Sequence, residues 1–248
     1  MTNPKIENKI FNMDCLAGMS MIPDGSVDMI LCDLPYGVTD CKWDKLLPIT
    51  ELWQEYERVI KSNGAIVLTG IQPFTTELIR SNLKLFRYCW YWRKNCSTGF
   101  AFSHKQPMRC VEDVAVFYKK QPTYNPQGLI LLENPKRVGG GKKKGGRVYK
   151  DLDKPYVSHY TNYPNNLLEV PVERGLHPTQ KPVALFEYLV RTYTNPNEIV
   201  LDNCMGSGTT AVACIRSGRR YIGFELEERY WNICQERIEK EKNERHIL

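Results

Sequence analysis

Residues 33–36, Asp-Leu-Pro-Tyr, combine side chains that could bind and activate a flat amine. They follow an apolar run, 27–32, that predicts a buried strand, and open α/β sheets bind ligands at the carboxyl ends of such strands. Asp33 can accept a hydrogen bond from an amino group, Tyr36 can stack on a heterocycle, and Pro35 fixes the backbone so that a nearby carbonyl points one way. The pattern favours an exocyclic amine of a nucleobase. A strand that turns at its end and buries a tyrosine would show the same residues.

A glycine turn far along the chain forms the second group. Residues 198–202 predict a strand that ends at Asp202, and a Gly-Ser-Gly turn and a helix follow. The next predicted strand ends at Glu225, near the spacing at which an acid binds ribose hydroxyls in nucleotide-binding βαβ units. The turn lacks the third glycine of a dinucleotide fingerprint and the Gly-Lys-Ser/Thr of a phosphate loop, which favours a nucleoside cofactor without a pyrophosphate. An ordinary strand-to-helix turn with a surface glutamate is the alternative.

Four motifs in a fixed order resemble the β-class amino-methyltransferases of DNA, which use S-adenosylmethionine. The family's catalytic motif Asp-Pro-Pro-Tyr corresponds to residues 33–36, and its cofactor motif Asp-Pro-Phe-x-Gly-Ser-Gly-Thr-Thr corresponds to residues 202–210. Residues 177–182, His-Pro-Thr-Gln-Lys-Pro, match a segment that precedes the cofactor motif, and residues 12–15, Asn-Met-Asp-Cys, resemble the segment whose acid lies near the cofactor adenine. Because the catalytic motif comes first, the resemblance implies a circularly permuted motif order.

The resemblance implies methyl transfer to the N6 amine of a flipped-out adenine. Asp33 and the backbone carbonyl of Leu34 would accept hydrogen bonds from the amine as positive charge develops on it, and Tyr36 would stack on the base. Pro35 completes this catalytic motif. Glu225 would bind the cofactor ribose, and the other implied cofactor contacts are Asp14, Thr179, Lys181, Asp202, Gly206, Ser207, Gly208 and Thr209. Lys181 could instead be a surface charge at a helix start, and Asp14 could be a helix cap.

Three positions depart from the family pattern: Leu34 and Asn203 replace prolines, and Cys204 replaces a phenylalanine that packs near the cofactor. Within the family, aspartate at the first catalytic position accompanies adenine N6 and serine accompanies cytosine N4, so Asp33 favours adenine. A cytosine N4-methyltransferase and a catalytically inactive DNA-binding relative are the alternatives, and an enzyme of the same fold that modifies RNA or a protein amide is a further one. A cytosine carbon-5 methyltransferase needs a nucleophilic cysteine, whereas Cys32 ends an apolar strand.

The elements that must position these residues alternate between strand and helix. Strands are predicted at 27–32, 65–69, 86–93, 114–118, 198–202 and 221–225, and helices at 46–61, 73–82, 183–194, 208–218 and 226–242. Alternation of this kind predicts a mostly parallel α/β sheet with helices on both faces, and the resemblance implies the Rossmann-like fold of S-adenosylmethionine-dependent methyltransferases. Residues 121–175 show no such pattern. We therefore expect a catalytic domain of residues 1–120 and 176–248, with an inserted irregular region at 121–175 for target recognition and DNA contact.

The positive charge of the chain is concentrated in one stretch. Eight Lys or Arg residues and two Asp residues fall between 136 and 154, a surplus that equals the net charge of +6 of the whole chain. Residues 135–147 contain five glycines and almost no apolar side chains, which predicts a mobile basic loop suited to a polyphosphate. With the resemblance, this predicts double-stranded DNA as the partner, contacted by Arg137, Lys142, Lys143, Lys144 and Arg147. A solvated loop without a partner is the alternative.

Composition limits the remaining classes. The 248 residues are 42% hydrophobic, and no apolar run approaches the roughly 20 residues that span a bilayer. The amino-terminal residues lack the apolar segment of a signal peptide, so we expect a cytoplasmic protein without membrane contact. The nine cysteines and four histidines lack zinc-ligand spacing, and we predict no metal. The resemblance also allows a homodimer, while a restriction partner is not indicated by any residue pattern.

Overall fold

A computed structural model describes residues 6–37, 45–138, 155–176 and 178–246. Its elements, in chain order, are β1 (Lys9–Asn12), α1 (Cys15–Met19), β2 (Val27–Cys32), α2 (Ile49–Val59), β3 (Ile60–Gly70), α3 (Phe74–Ser81), β4 (Phe86–Thr98), β5 (Arg109–Phe117), β6 (Ile130–Val138), β7 (Tyr156–Thr161), β8 (Leu167–Glu169), α4 (Val183–Tyr193), β9 (Ile199–Asp202), α5 (Thr209–Ser217), β10 (Arg220–Glu225) and α6 (Glu228–His246). A 3₁₀ turn, Phe100–Phe102, joins β4 to β5.

Within the described residues, eight strands form a mixed sheet in the order β1-β10-β9-β2-β3-β5-β4-β8. The pairs from β1 to β3 are parallel, and β5 runs antiparallel to both β3 and β4. The central pair is β2 with β9, in the register Met29 to Val200 and Ile30 to Leu201. Parallel pairing in this register brings the carboxyl ends of β2 and β9 to the same edge of the sheet, as the predicted α/β fold requires.

Both faces of the sheet are covered, which explains why residues 29–32 of β2 are all apolar. Alternate residues of a strand point to opposite faces. Met29 and Leu31 pack on one face against α4 and α5, while Ile30 and Cys32 pack on the other against α1 and α2. The part of β2 that is buried on both faces is therefore apolar at every position. Charged residues lie on either side of this apolar part: Asp28, which pairs with Lys61, near the start of the strand, and Asp33 where the chain leaves the core.

A second compact unit comprises Pro126–Asn165, and the rest of the chain forms the first. Its strands β6 and β7 pair antiparallel, and Asn162 Nδ2 donates a hydrogen bond to the carbonyl of Gly128 at 2.7 Å. Two expectations were wrong here. The 121–175 region contains regular strands, and the predicted basic loop begins inside β6, because residues 135–138 are strand. Residues 166–175 belong to the first unit, where β8 pairs with β4.

Several elements were not predicted, because they are too short to show a periodic pattern of apolar residues. The predicted pattern lacks β1, α1 and β8, which are only four, five and three residues long. Strand β3 begins at Ile60, directly after α2, so residues 60–61 of the predicted helix are strand. In the part of the chain that the structure describes, no helix is both long enough and apolar enough to cross a bilayer.

Candidate active site

Asp33 leaves β2 at the carboxyl edge of the sheet and accepts hydrogen bonds on both carboxylate oxygens. Tyr36 Oη donates to Oδ1 at 2.5 Å, and the hydroxyl of Thr69, near the end of the neighbouring β3, also donates to Oδ1. Lys181 Nζ donates to Oδ2 at 2.6 Å. Three donors from three segments therefore fix the carboxylate in one orientation, and the lone pair that remains, on Oδ2, is the acceptor position for an incoming group.

Tyr36 is held in place by the hydrogen bonds of its hydroxyl and by two side chains that lie next to its ring. Its ring centroid lies 5.0 Å from that of Phe74, and Lys181 Nζ lies 5.5 Å from the ring centroid of Tyr36. Burial and the adjacent carboxylate of Asp33 raise the pKa of Tyr36, so the phenol stays protonated and acts as a donor. The ring is thus preorganised before a flat ligand arrives.

Lys181 is a buried cation at the start of α4, not a surface charge. Its side chain is 6% exposed and ion-pairs with Asp33. A second carboxylate, that of Glu112 on β5, places Oε2 at 3.6 Å from Nζ. Burial disfavours the ammonium, but Asp33 and Glu112 outweigh it and raise the pKa of Lys181. The side chain therefore remains a cation next to Asp33.

Asp202 ends β9 and organises the glycine turn. Its Oδ1 accepts a hydrogen bond from the backbone N–H of Cys204 at 3.0 Å, and its Oδ2 accepts one from the hydroxyl of Thr210. The carboxyl group is buried, and desolvation raises its pKa from 3.8 to about 6. Asp202 thus ties the strand end to the first turn of α5.

Glu225 ends β10 beside the same turn. Its Oε2 accepts a hydrogen bond from the N–H of Gly206 at 2.7 Å, and its Oε1 accepts one from the N–H of Glu227 at 2.9 Å. Burial raises the pKa of Glu225. Gly206 has a φ of +54°, and a Cβ at this position would meet no atom within 4 Å, so the backbone there faces open space.

Gly208 has a different role from Gly206. Its φ is +85°, and a Cβ built on it would lie 2.5 Å from Cys234 Sγ on α6. The residue allows α5 and α6 to approach each other, and it does not line the cavity described below. Its contribution to a ligand site is therefore through the shape of the turn.

One cavity of about 430 Å³ joins the two groups. All four residues of the catalytic motif line it, as do the other residues predicted to bind the cofactor, namely Asp14, Thr179, Lys181, Asp202, Gly206, Ser207, Thr209 and Glu225. Asp14 also caps α1, because its Oδ1 accepts hydrogen bonds from the N–H groups of Leu16 and Ala17 at 3.0 Å. The cavity is therefore lined by the carboxylate of Asp33 after β2 and by that of Glu225 at the end of β10.

The sequence matches the DNA methylase family over residues 27–236, most of the chain. The chain belongs to that family. This methylase is 30% identical to the DNA adenine methyltransferase YhdJ of Escherichia coli (strain K12), over 93% of its own length and 82% of that protein. It is 45% identical to the type II methyltransferase M2.DpnII of Streptococcus pneumoniae, over 97% and 94%. A solved M1.HpyAVI–SAM complex superimposes with a TM-score of 0.63 at 25% identity, covering 92% of the methylase and 98% of that chain.

Some residues of the methylase site were absent from the predictions. Thr69 and Glu112 reach Asp33 and Lys181 from β3 and β5, and neither belongs to a recognised motif. Cys15 and Cys204 both line the cavity, and their thiols form a hydrogen bond that lowers the pKa of Cys15 and raises that of Cys204. Cys204 was noted from the sequence only as a departure, and the structure shows thiols where the family motif has a phenyl ring.

Cys32 of the methylase is fully buried, on the face of β2 that packs on α1 and α2. Desolvation raises the pKa of its thiol to about 12, so the reactive thiolate is absent at neutral pH. It does not line the cavity. The burial agrees with the sequence interpretation of Cys32 as a small hydrophobic residue.

One of the predicted phosphate contacts of the methylase, Arg137, is described in the second unit. Arg137 is exposed on β6, beside Lys136, which is also exposed. The other four predicted contacts fall outside the described residues: Lys142, Lys143, Lys144 and Arg147.

Proposed function

We propose that this methylase transfers the methyl group of S-adenosylmethionine to N6 of adenine in double-stranded DNA. The observation that carries the proposal is the shared cavity, which is lined by both Asp33, directly after β2, and Glu225, at the end of β10. Asp33 suits an amine, and Glu225 with the open backbone at Gly206 suits a ribose. The likeness to a relative named a DNA adenine methyltransferase favours adenine over cytosine.

The amine half of the reaction needs hydrogen-bond acceptors for its two N–H groups. As the nitrogen would bond to the methyl carbon and the carbon–sulfur bond would break, one of these protons would be lost through Asp33 to solvent. The lone pair of an aromatic amine is delocalised into its ring, so the nitrogen becomes nucleophilic as its N–H groups are drawn toward acceptors. Asp33 and the carbonyl of Leu34 would take these two hydrogen bonds, and each preorganised partner of this kind is typically worth roughly 3 kcal/mol in the transition state. Tyr36 would stack on the base, which offsets part of the cost of removing it from the duplex by roughly 1–3 kcal/mol.

The cofactor half fits the residues around the glycine turn. S-adenosylmethionine supplies a methyl group that its sulfonium already activates. Glu225 would accept the two ribose hydroxyls with the lone pairs left free by Gly206 and Glu227. Asp202 and Thr209 would flank the methionine end, and Thr179 would complete that wall of the cavity together with Ser207. Asp14, which is oriented by its hydrogen bonds to α1, would face the adenine ring of the cofactor.

DNA would be held through phosphates by the basic segment. Arg137 is exposed, and the predicted contacts that follow it carry four further positive charges within a few residues. Such contacts give affinity without sequence choice, and each phosphate neutralised contributes about 0.9 to the salt slope of binding. Replacing Lys142, Lys143 and Lys144 together with glutamine should therefore flatten the slope of log Kd against log salt. An unchanged slope would show that these lysines do not contact DNA phosphates.

Nucleoside analysis by mass spectrometry tests the activity directly. Duplex DNA, RNA and protein are incubated separately with the methylase and isotope-labelled S-adenosylmethionine. N6-methyladenine in the duplex supports the proposal, N4-methylcytosine would reassign the base, and label only in RNA or protein would reassign the substrate. Asp33→Ala should abolish transfer while cofactor binding persists, and the exposed Asp24→Ala should transfer normally. Near-normal turnover in Asp33→Ala would contradict the role of Asp33.

A further inference from the structure

Four buried or half-buried charges of alternating sign lead from the sheet to the cavity. Lys94 Nζ on β4 lies 2.9 Å from Glu112 Oε1 on β5, Glu112 Oε2 lies 3.6 Å from Lys181 Nζ, and Lys181 Nζ lies 2.6 Å from Asp33 Oδ2. Their side chains are 5%, 14%, 6% and 21% exposed, in that order. Neither Lys94 nor Glu112 lines the cavity, so neither can touch a ligand there.

Glu112 is held between two ammonium groups but is hydrogen-bonded to only one of them. Its Oε1 accepts from Lys94, whereas its Oε2 is buried and accepts no hydrogen bond from the described residues. A buried carboxylate oxygen without a donor is costly unless a nearby charge compensates it. Lys181 Nζ supplies that charge at 3.6 Å, so the ion pair holds the two side chains in fixed positions relative to each other.

The position of Lys181 matters because its ammonium competes with an incoming amine for the negative charge of Asp33. With Glu112 on its other side, the ammonium is shared between two carboxylates, and less of the charge of Asp33 is neutralised. We propose that Glu112 is a positioning residue for methyl transfer, which holds Lys181 between two carboxylates and thereby keeps Asp33 a strong acceptor. Lys94 holds Glu112 in turn. The inference rests on the proposed role of Asp33 as the acceptor of the amine.

A purely structural role for Glu112 would be to neutralise the buried Lys94. The two roles separate in a charge-balanced pair of variants. Glu112→Gln alone leaves Lys94 without a counter-charge, which should destabilise the fold as well as slow the reaction. Adding Lys94→Met removes the uncompensated charge and should restore stability. If Glu112 positions Lys181, the double variant recovers its free energy of unfolding but not its rate.

The experiment measures three quantities on the full chain: single-turnover methyl incorporation into duplex DNA, cofactor Kd and the free energy of unfolding. In Glu112→Gln and in the double variant we expect the saturating rate to fall about tenfold, equivalent to about 1.4 kcal/mol. The cofactor Kd, and the DNA concentration that gives half of the saturating single-turnover rate, should stay within about twofold, since Glu112 does not line the cavity. Asp113→Asn is the matched control, because it makes the same charge change one residue along β5, on the opposite face.

Two results would overturn the inference: a normal rate in Glu112→Gln, or a normal rate in the double variant. The second would show that Glu112 only balances Lys94. Incorporation is counted as total methyl groups in DNA, so the comparison of variants holds whichever base is modified. The identity of the base, from nucleoside analysis of the unmodified methylase, tests the proposed function separately.

Discussion

Glu225→Gln should weaken cofactor binding far more than its small change of shape suggests. Each carboxylate oxygen of Glu225 accepts one backbone N–H, from Gly206 at 2.7 Å and from Glu227 at 2.9 Å. A glutamine has a single acceptor oxygen, so its NH₂ group must face one of these N–H donors. The variant therefore loses the negative charge and half of the acceptor capacity. It also places an NH₂ donor against a backbone N–H donor within the turn.

The magnitude follows from the hydrogen bonds that the cofactor ribose would make. Hydrogen bonds to a charged group contribute about 1.5–3 kcal/mol each, and those to a neutral group contribute about 1 kcal/mol. If both ribose hydroxyls donate to a neutral glutamine instead of a charged glutamate, their hydrogen bonds together lose about 1–4 kcal/mol. A loss of about 3 kcal/mol corresponds to a Kd on the order of a hundredfold weaker.

Titration calorimetry with S-adenosylmethionine measures the change, and Glu228→Gln provides the matched control. Glu228 begins α6 three residues after Glu225, is exposed and does not line the cavity. The Kd of Glu228→Gln for S-adenosylmethionine should therefore equal that of the unmodified chain. Affinity of the unmodified chain should also fall as the pH drops through the raised pKa of Glu225, because protonation removes the same charge. A Kd within threefold of the unmodified value in Glu225→Gln would refute the assignment of the ribose to Glu225.

Three further outcomes are expected. Cys32→Ala should keep most of its methylation activity, because a buried thiol with a pKa of about 12 is not a nucleophile; complete loss of activity in a folded variant would contradict this. Gly208→Ala should lower the free energy of unfolding by about 3 kcal/mol in urea titrations, through its φ of +85° and the overlap with Cys234, and Cys234→Ala should restore part of that loss. Asp202 has a pKa raised from 3.8 to about 6, so the native state holds this proton more tightly than the unfolded state does. The unfolding free energy should therefore fall, relative to that of Asp202→Asn, by up to about 3 kcal/mol as the pH rises from about 4 to about 6, and a difference independent of pH would contradict the burial argument.

The sequence predicted the parts of the site that lie where a strand ends. Asp33, Asp202 and Glu225 each follow an apolar run, and the chemistry of a parallel sheet edge makes such positions informative without knowledge of the pairing. Lys181 could be placed by resemblance alone, and its burial was not predictable, because a lysine before a helix is usually exposed. Asp14 caps α1, as one of its two interpretations had it, and it also lines the cavity, where its contact with the cofactor stays a prediction.

The contributions of β4 and β5 to the site could not be predicted, for a physical reason. Lys94 and Glu112 carry no local pattern, because a charge in the outer half of a strand is ordinarily solvated. They become buried partners only when β4 and β5 pair antiparallel, with Arg93 opposite Val111 and Trp92 opposite Glu112. That register is a long-range property of the fold, so sequence spacing does not contain it.

The pairing of β2 with β9 explains why the separation of the two motifs along the chain does not separate them in space. Ile30 lies opposite Leu201, so Asp33 and Asp202 must both leave the sheet at the same edge, each within three residues of a paired position. Lys181 then spans the two halves: its Nζ binds Asp33, while its carbonyl accepts a hydrogen bond from Thr209 at 3.2 Å. The carboxylate of Asp33 and the start of α5 are therefore joined through one buried residue.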